Sequence, residues 1–284
     1  MSRSEPTAAE PTPYRGRAVA VGTKHGKQHQ FAPAFRRVLG ATLTTPPVDT
    51  DRFGTFTGDV ARTGGPLEAA RAKATLAMSV AGLPYGVASE ASYGPLPGGW
   101  PGHEEILLFR DDVAGIEIVE GYRTPSVPGV AQRVSRHDDL APALVNGLPA
   151  QGLIVRPAGA DGTIIKGVNG IDALRSAIET AVVASPDGLA LVEPDLRAHH
   201  NPSRRRILSA LAETMALRLA TPCPSCAAPG FGRVGAEAGL PCRVCGTPTP
   251  LRHAEIHACA ACTHRESRKV GAAADPAACP ACNP

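Results

Sequence analysis

The chain has 284 residues, with 29 basic and 26 acidic side chains and a formal net charge of +3. Hydrophobic residues make up 43%, enough for a buried core, which excludes wholesale disorder. The near-balanced charge and the 11 aromatics (6 Phe, 4 Tyr, 1 Trp) give no support to a basic, base-stacking platform, and no apolar run approaches the roughly 20 residues of a membrane helix.

Residues 1–16 are polar, carry Pro6, Pro11 and Pro13, and lack the apolar stretch of a secretory signal. They read as a disordered tail on a cytoplasmic protein. Residues 17–220 alternate short β-like runs with helical patterns, which predicts an α/β domain with a mixed sheet and flanking helices. Arg17–Val21 reads as a strand, and Phe31, Phe35, Val38 and Leu39 recur at helical spacing. A second strand at Ala41–Thr45 stops at Pro46 and Pro47. Pro66 suits the first turn of a helix running to Ala81, with Gly82 as its stop. Tyr85–Ser89 is the next strand, followed by a loop rich in proline and glycine. Glu105–Phe109 and Ile116–Tyr122 form a hairpin around Asp111 and Asp112.

Further on, Ser135 and Asp138 resemble a capping box for a short helix, and Asp161-Gly162 is a turn between strands at 152–156 and 163–166. Asn169 and Asp172 cap a helix to Ala184, with Ile171, Leu174, Ile178 and Val182 inward. After a strand at Leu189–Glu193, Asn201 and Pro202 open a helix ending near Ala220, with Ile207, Leu211, Met215 and Leu219 on its apolar side.

Residues 221–284 hold all eight cysteines, as the pairs Cys223/Cys226, Cys242/Cys245, Cys259/Cys262 and Cys279/Cys282. Two residues between cysteines let one knuckle present both sulfurs to one ion, and four thiolates complete a tetrahedron. The spacing predicts a small double zinc ribbon with two structural zinc ions. The expected pairing is sequential, first with second and third with fourth, and the alternative is interleaved. Closed thiolate shells leave no open position for substrate, so these ions stabilise rather than catalyse. Eight thiolates on two zinc ions would turn the formal +3 into about −1.

Candidate chemistry outside the cysteines falls in three segments. Thr23, Lys24, His25 and Lys27 sit between the first strand and a helix, where an α/β sheet binds ligands and a helix N-terminus favours an anion. Asp49, Asp51 and Asp59 form an acidic loop; Glu68 lies early on the next helix and Glu90 at a strand end, where carboxylates could hold magnesium. In the polar segment 193–206, Arg197, His199 and Arg204 are candidate anion ligands near a helix start, where arginines suit a shared anion.

Thr23–Lys27, Asp49–Asp51, Gly54–Gly58, Ala88–Glu90, the segment from Asp195 to Arg204 and the terminal Cys-Asn-Pro make the chain resemble an uncharacterised bacterial family described only as a domain of unknown function. Residues 17–122 are also similar in order to inosine/xanthosine triphosphate pyrophosphatases. Thr23 matches the threonine of that family's first loop, His25 replaces its asparagine, and Lys27 falls one position early. Glu68-Ala-Ala-Arg-Ala-Lys-Ala74 follows its helix motif except at Ala69, and Glu90 stands at its acidic metal ligand. This second resemblance implies a magnesium-dependent hydrolase of a nucleotide or another phosphorylated small molecule. Glu68, Glu90 and Lys73 would be catalytic, and Lys24 and Lys27 would hold phosphate. The alternative is a non-catalytic binding or regulatory protein whose ribbons contact nucleic acid or protein, or which forms a homo-oligomer.

Overall fold

The computed structural model describes residues 12–54, 60, 64–95, 99–125, 131–159 and 162–284. The tail to residue 11, Asp59, the side chain of Asp138 and Asp161 of the expected turn lie outside the described residues. The first sheet has β1 (Ala18–Val21) between β2 (Thr42–Thr44) and β3 (Tyr85–Pro95), all parallel, and continues antiparallel through β4 (Pro101–Asp111) to β5 (Ile116–Thr124). It is the expected mixed sheet, and helices cover both its faces.

Side chains alternate between those faces because the strand period is two. Val19, Val21, Val87, Leu107, Phe109 and Ile118 bury against α1 (Gln28–Ala34) and α5 (Pro202–Leu219), in a core that includes Phe31, Phe35 and Met215. Ala20, Ala88, Ile106 and Leu108 instead meet Ala70, Ala74, Ala77 and Met78 of α2 (Pro66–Ala81). The small residues bring α2 very close. A Cβ on Gly22 would lie 2.4 Å from the Lys73 carbonyl oxygen. Pro66 at the first turn and Gly82 in the left-handed region, at φ 64°, bound this helix where the sequence places its ends.

A second, antiparallel sheet has the order β6-β9-β7-β8, from β6 (Gln132–Val134), β7 (Leu153–Pro157), β8 (Ile165–Val168) and β9 (Ala190–Pro194). The short α3 (Pro142–Val145) and α4 (Ile171–Ala184) cover its core. The last sheet is a three-stranded meander of β10 (Gly232–Ala238), β11 (Arg252–Ala258) and β12 (Arg265–Lys269). Among the described residues no helix is long and apolar enough to cross a membrane.

Several expectations change, among them the N-cap of α4, which is Gly170 and not Asn169. Residues 12–16 are not tail: Tyr14 is fully buried against Tyr85 and Phe109 and donates to Asp111 at 3.0 Å. β3 does not stop at Ser89 but runs on to Pro95, paired with Pro101 at the far end of the hairpin, where a missing ladder N–H is tolerated. Ile171 is 38% exposed because it is the first residue of α4, while Leu174 and Ile178 are buried one and two turns on. On α5 Met215 and Leu219 are fully buried as expected, but so is Leu208, while Ile207 beside it is only half-buried against the core.

Candidate anion-binding site and cysteine centres

β1 ends at Val21, and the chain leaves the sheet through Gly22, Thr23 and the loop to α1. A cavity of about 120 Å³ opens there. Its walls come from remote parts of the chain: Thr23, His25 and Lys27 after β1, Asp51 after β2, Lys73 of α2, Glu90 of β3, and Lys166, Arg197 and Arg204 from the second half.

The alternation of β3 sets the site. Glu90 points to the α2 face, where Lys73 Nζ donates to its Oε2 at 2.5 Å; both side chains are buried. Ser89 points the other way, and Lys27 Nζ donates to its hydroxyl at 3.0 Å and its carbonyl at 3.2 Å. Burial, with the Arg204 guanidinium nearby, lowers the Lys27 pKa to about 8. Arg204 is 1% exposed and holds Glu105 through two hydrogen bonds, of 2.7 and 2.9 Å. Burial would raise the Glu105 pKa, but Arg204, a bond from His103 and the charge of Lys27 together hold it at about 2.

The mouth is tied by a second network. His25 meets Asp51 at 3.1 Å and stacks on His199, with ring centroids 4.9 Å apart. Burial pushes His25 below its usual range despite Asp51, and pushes His199 down to about 4 with help from His200 and Arg197. Arg197 Nε and Nη2 reach Asp195 at 3.0 and 2.6 Å, and the Gly167 N–H donates to the same carboxylate.

Of the residues expected to bind an anion, Thr23, His25, Lys27, Arg197 and Arg204 therefore meet on one cavity. Lys24 and His199 do not line it. Lys24 turns outward to Asp49 and Asp51, at 3.0 and 2.8 Å. Two of the loop's N–H groups are engaged: Thr23 Oγ1 accepts from His25 and Lys27, at 3.2 and 3.4 Å. Side-chain cations line the site. Glu68 is a further correction to the expected layout. It folds back to accept the Gly65 N–H at 2.8 Å, capping α2, and does not line the cavity with Glu90. The sequence reading left out Ser89, Glu105 and Lys166, and took Asp195 only as part of the polar segment 193–206. Ser89 and Glu105 are buried polar residues inside strands, which leave no local signature.

The cysteines form two four-sulfur clusters, Cys223/Cys226/Cys259/Cys262 and Cys242/Cys245/Cys279/Cys282. The pairing is interleaved, not sequential. One strand of the antiparallel meander separates successive pairs, so the first and third pairs reach one end of the sheet and the second and fourth reach the other. Sulfurs lie 3.4–3.9 Å apart, close to the roughly 3.8 Å edge of a tetrahedron with 2.3 Å metal–sulfur bonds. Each cluster can hold a zinc ion.

The chain matches the family described as Domain of unknown function (DUF6671) over residues 73–284. It belongs to that family. No curated protein and no solved structure matches it. The matched stretch takes in Lys73, Glu90, Glu105, Arg197, Arg204 and both cysteine clusters, and leaves out the Thr23–Lys27 loop.

Proposed function

We propose that the protein binds a phosphorylated small molecule, with a nucleotide the favoured class, in the cavity at the end of β1 and hydrolyses it with magnesium. The observation that carries this reading is convergence: Lys27, Lys73, Lys166, Arg197 and Arg204 share one cavity wall, on which the carboxylates among the described residues are Asp51 and Glu90. Glu105 and Asp195 pair with Arg204 and Arg197 from behind this wall, so the surplus of positive charge that faces the cavity is small, and in a partly desolvated place it favours an anion. Lys27 contacts no carboxylate in its own hydrogen bonds, so its ammonium is the group best placed to pair with a phosphate oxygen.

Magnesium would be held chiefly by phosphate oxygens and water, with Glu90 as the cavity carboxylate nearest in kind to a ligand. Magnesium, when bound, neutralises phosphate charge and polarises the phosphoryl group. The chain supplies the rest. Lys73 fixes the Glu90 carboxylate, Glu105 holds Arg204 beside Lys27, and Asp195 aims the Arg197 guanidinium. In the hydrolytic step water would attack phosphorus as the P–O bond to the leaving nucleotide or pyrophosphate breaks, and the proton the water loses would pass to solvent.

Ribbon residues give less support to the binding-protein alternative. Arg233 and Arg252 pair with Glu255, Arg268 with Glu266 and Arg243 with Asp275, which neutralises much of the module's basic surface.

A nucleotide panel assayed with magnesium tests the proposal. Phosphate or pyrophosphate release that is abolished in Glu90→Gln is expected. No release from any nucleotide, or equal release by Glu90→Gln, sinks the hydrolase reading.

A further inference from the structure

Lys27 Nζ is held by Ser89 alone among the described residues, through the hydroxyl at 3.0 Å and the carbonyl at 3.2 Å. Both acceptors are neutral. The carboxylates that act on it, Glu90 and Glu105, each bond a different cation, Lys73 and Arg204. Those two cations face the same amine. Desolvation and cationic neighbours favour the free base of a lysine, and here the pKa falls to about 8.

A neutral amine has two N–H bonds and one lone pair. Ser89 offers one acceptor to each N–H, which leaves the lone pair without a partner among the described residues. Lys27 is half-buried and lines the cavity, so the cavity is the space from which its nitrogen is reached. The same wall offers an anchor for negative charge. Arg197 commits Nε and Nη2 to Asp195, its Nη1 has no hydrogen bond among the described residues, and Lys166 adds a cation. At about 120 Å³ the cavity is smaller than the roughly 300 Å³ at which drug-sized sites begin, so it suits a compact molecule or the phosphate end of a larger one.

We propose that Lys27 is a nucleophile that forms an imine with a small carbonyl compound carrying an oxyanion, a 2-oxo acid or a phosphorylated aldehyde. The amine lone pair attacks the carbonyl carbon and forms the C–N bond. The carbonyl oxygen leaves as water with the two amine hydrogens, and a C=N bond takes the place of C=O. The imine nitrogen then takes a proton from solvent. The oxyanion rests on Arg197 Nη1 and Lys166. This inference rests on the anion-binding part of the function proposed above and not on hydrolysis.

The full, zinc-loaded chain, incubated with pyruvate, glyceraldehyde 3-phosphate or acetaldehyde and trapped with sodium cyanoborohydride, tests it by peptide mass spectrometry. The chain has five lysines, of which Lys24 and Lys269 are exposed and report unselective labelling in the same molecule. Near neutral pH, pyruvate or glyceraldehyde 3-phosphate should label Lys27 at least roughly tenfold faster than Lys24 or Lys269, because its lowered pKa leaves more free amine than an ordinary lysine has. Whichever of the two gives the higher Lys27-to-Lys24 ratio identifies the oxyanion. Acetaldehyde, which has no oxyanion, should give a lower ratio, and inorganic phosphate should slow labelling of Lys27 but not of Lys24. Labelling of Lys27 no faster than of the exposed lysines overturns the proposal, as does a ratio that is equal for acetaldehyde and unmoved by phosphate. Selective labelling in a chain that hydrolyses no nucleotide refutes only the hydrolase reading, and hydrolysis without selective labelling refutes only the imine.

Discussion

Arg204 donates from Nε and Nη2 to the two oxygens of Glu105, at 2.7 and 2.9 Å, joining residues 99 positions apart. Both side chains are essentially inaccessible, and their remaining capacity goes to His103 and the Leu196 carbonyl. The pair joins the start of α5 to the middle of the sheet, and Arg204 lines the cavity at the end of β1.

Such a pair gives little net stability over apolar neighbours, but leaving one charge alone is costly. Glu105→Leu is expected to destabilise the protein by about 3–5 kcal/mol in chemical unfolding, and Glu105→Leu with Arg204→Met to recover much of the loss. Equal destabilisation by the single and double variants would show that the charges stabilise the fold as a pair.

The same carboxylate sets an acid limit. Its folded pKa, about 2, is below the ordinary glutamate value, so it contributes stability that is complete above about pH 4.5 and is lost as pH falls toward 2. Thermal midpoints recorded across that window should fall with acidification. In Glu105→Gln, stabilised by a suitable osmolyte if needed, that part of the slope should be missing.

Gly22 is required by close approach, not by backbone conformation. A Cβ there would stand 2.4 Å from the Lys73 carbonyl oxygen and 2.6 Å from its carbon. Backbone cannot rotate aside, so Gly22→Ala should push α2 off the sheet and cost about 1–3 kcal/mol, measured by thermal or urea unfolding. Gly82→Ala, at the solvent-facing end of the same helix with open space around it, should strain only the local left-handed turn.

Interleaved pairing makes a stoichiometric prediction. Cys223→Ser with Cys259→Ser removes two ligands from one cluster, so the variant should keep one zinc ion per chain by metal analysis. Cys223→Ser with Cys242→Ser damages both clusters and should leave neither ion held by four thiolates. Sequential pairing would reverse the two results.

What the sequence discloses here is what short-range chemistry encodes. Pro66 and Gly82 bound α2, Asn201 and Pro202 open α5, and the cysteine spacings announce the metal centres. Relationships set by topology are hidden. Cysteine pairing depends on how many strands separate the pairs. The partners of Lys27, Lys73 and Arg204 depend on which face of β3 and β4 each side chain takes. Glu68 illustrates the limit most simply: its place early in a helix suits a metal-binding carboxylate and a helix cap equally, and the structure gives it to the cap.

The most direct test of the central claim is titration of the full chain with a nonhydrolysable purine nucleoside triphosphate and magnesium. Saturable binding is predicted, and it should weaken by at least roughly tenfold in Lys27→Met, which has no ammonium to donate to a phosphate oxygen. In the wild type, binding should also weaken as pH rises past about 8, where Lys27 loses its proton. Because burial already disfavours the Lys27 charge, Lys27→Met should at the same time raise the thermal midpoint of the ligand-free protein. Absence of binding, or binding that Lys27→Met and pH leave unchanged, would contradict the assignment of this cavity as a phosphate-binding site.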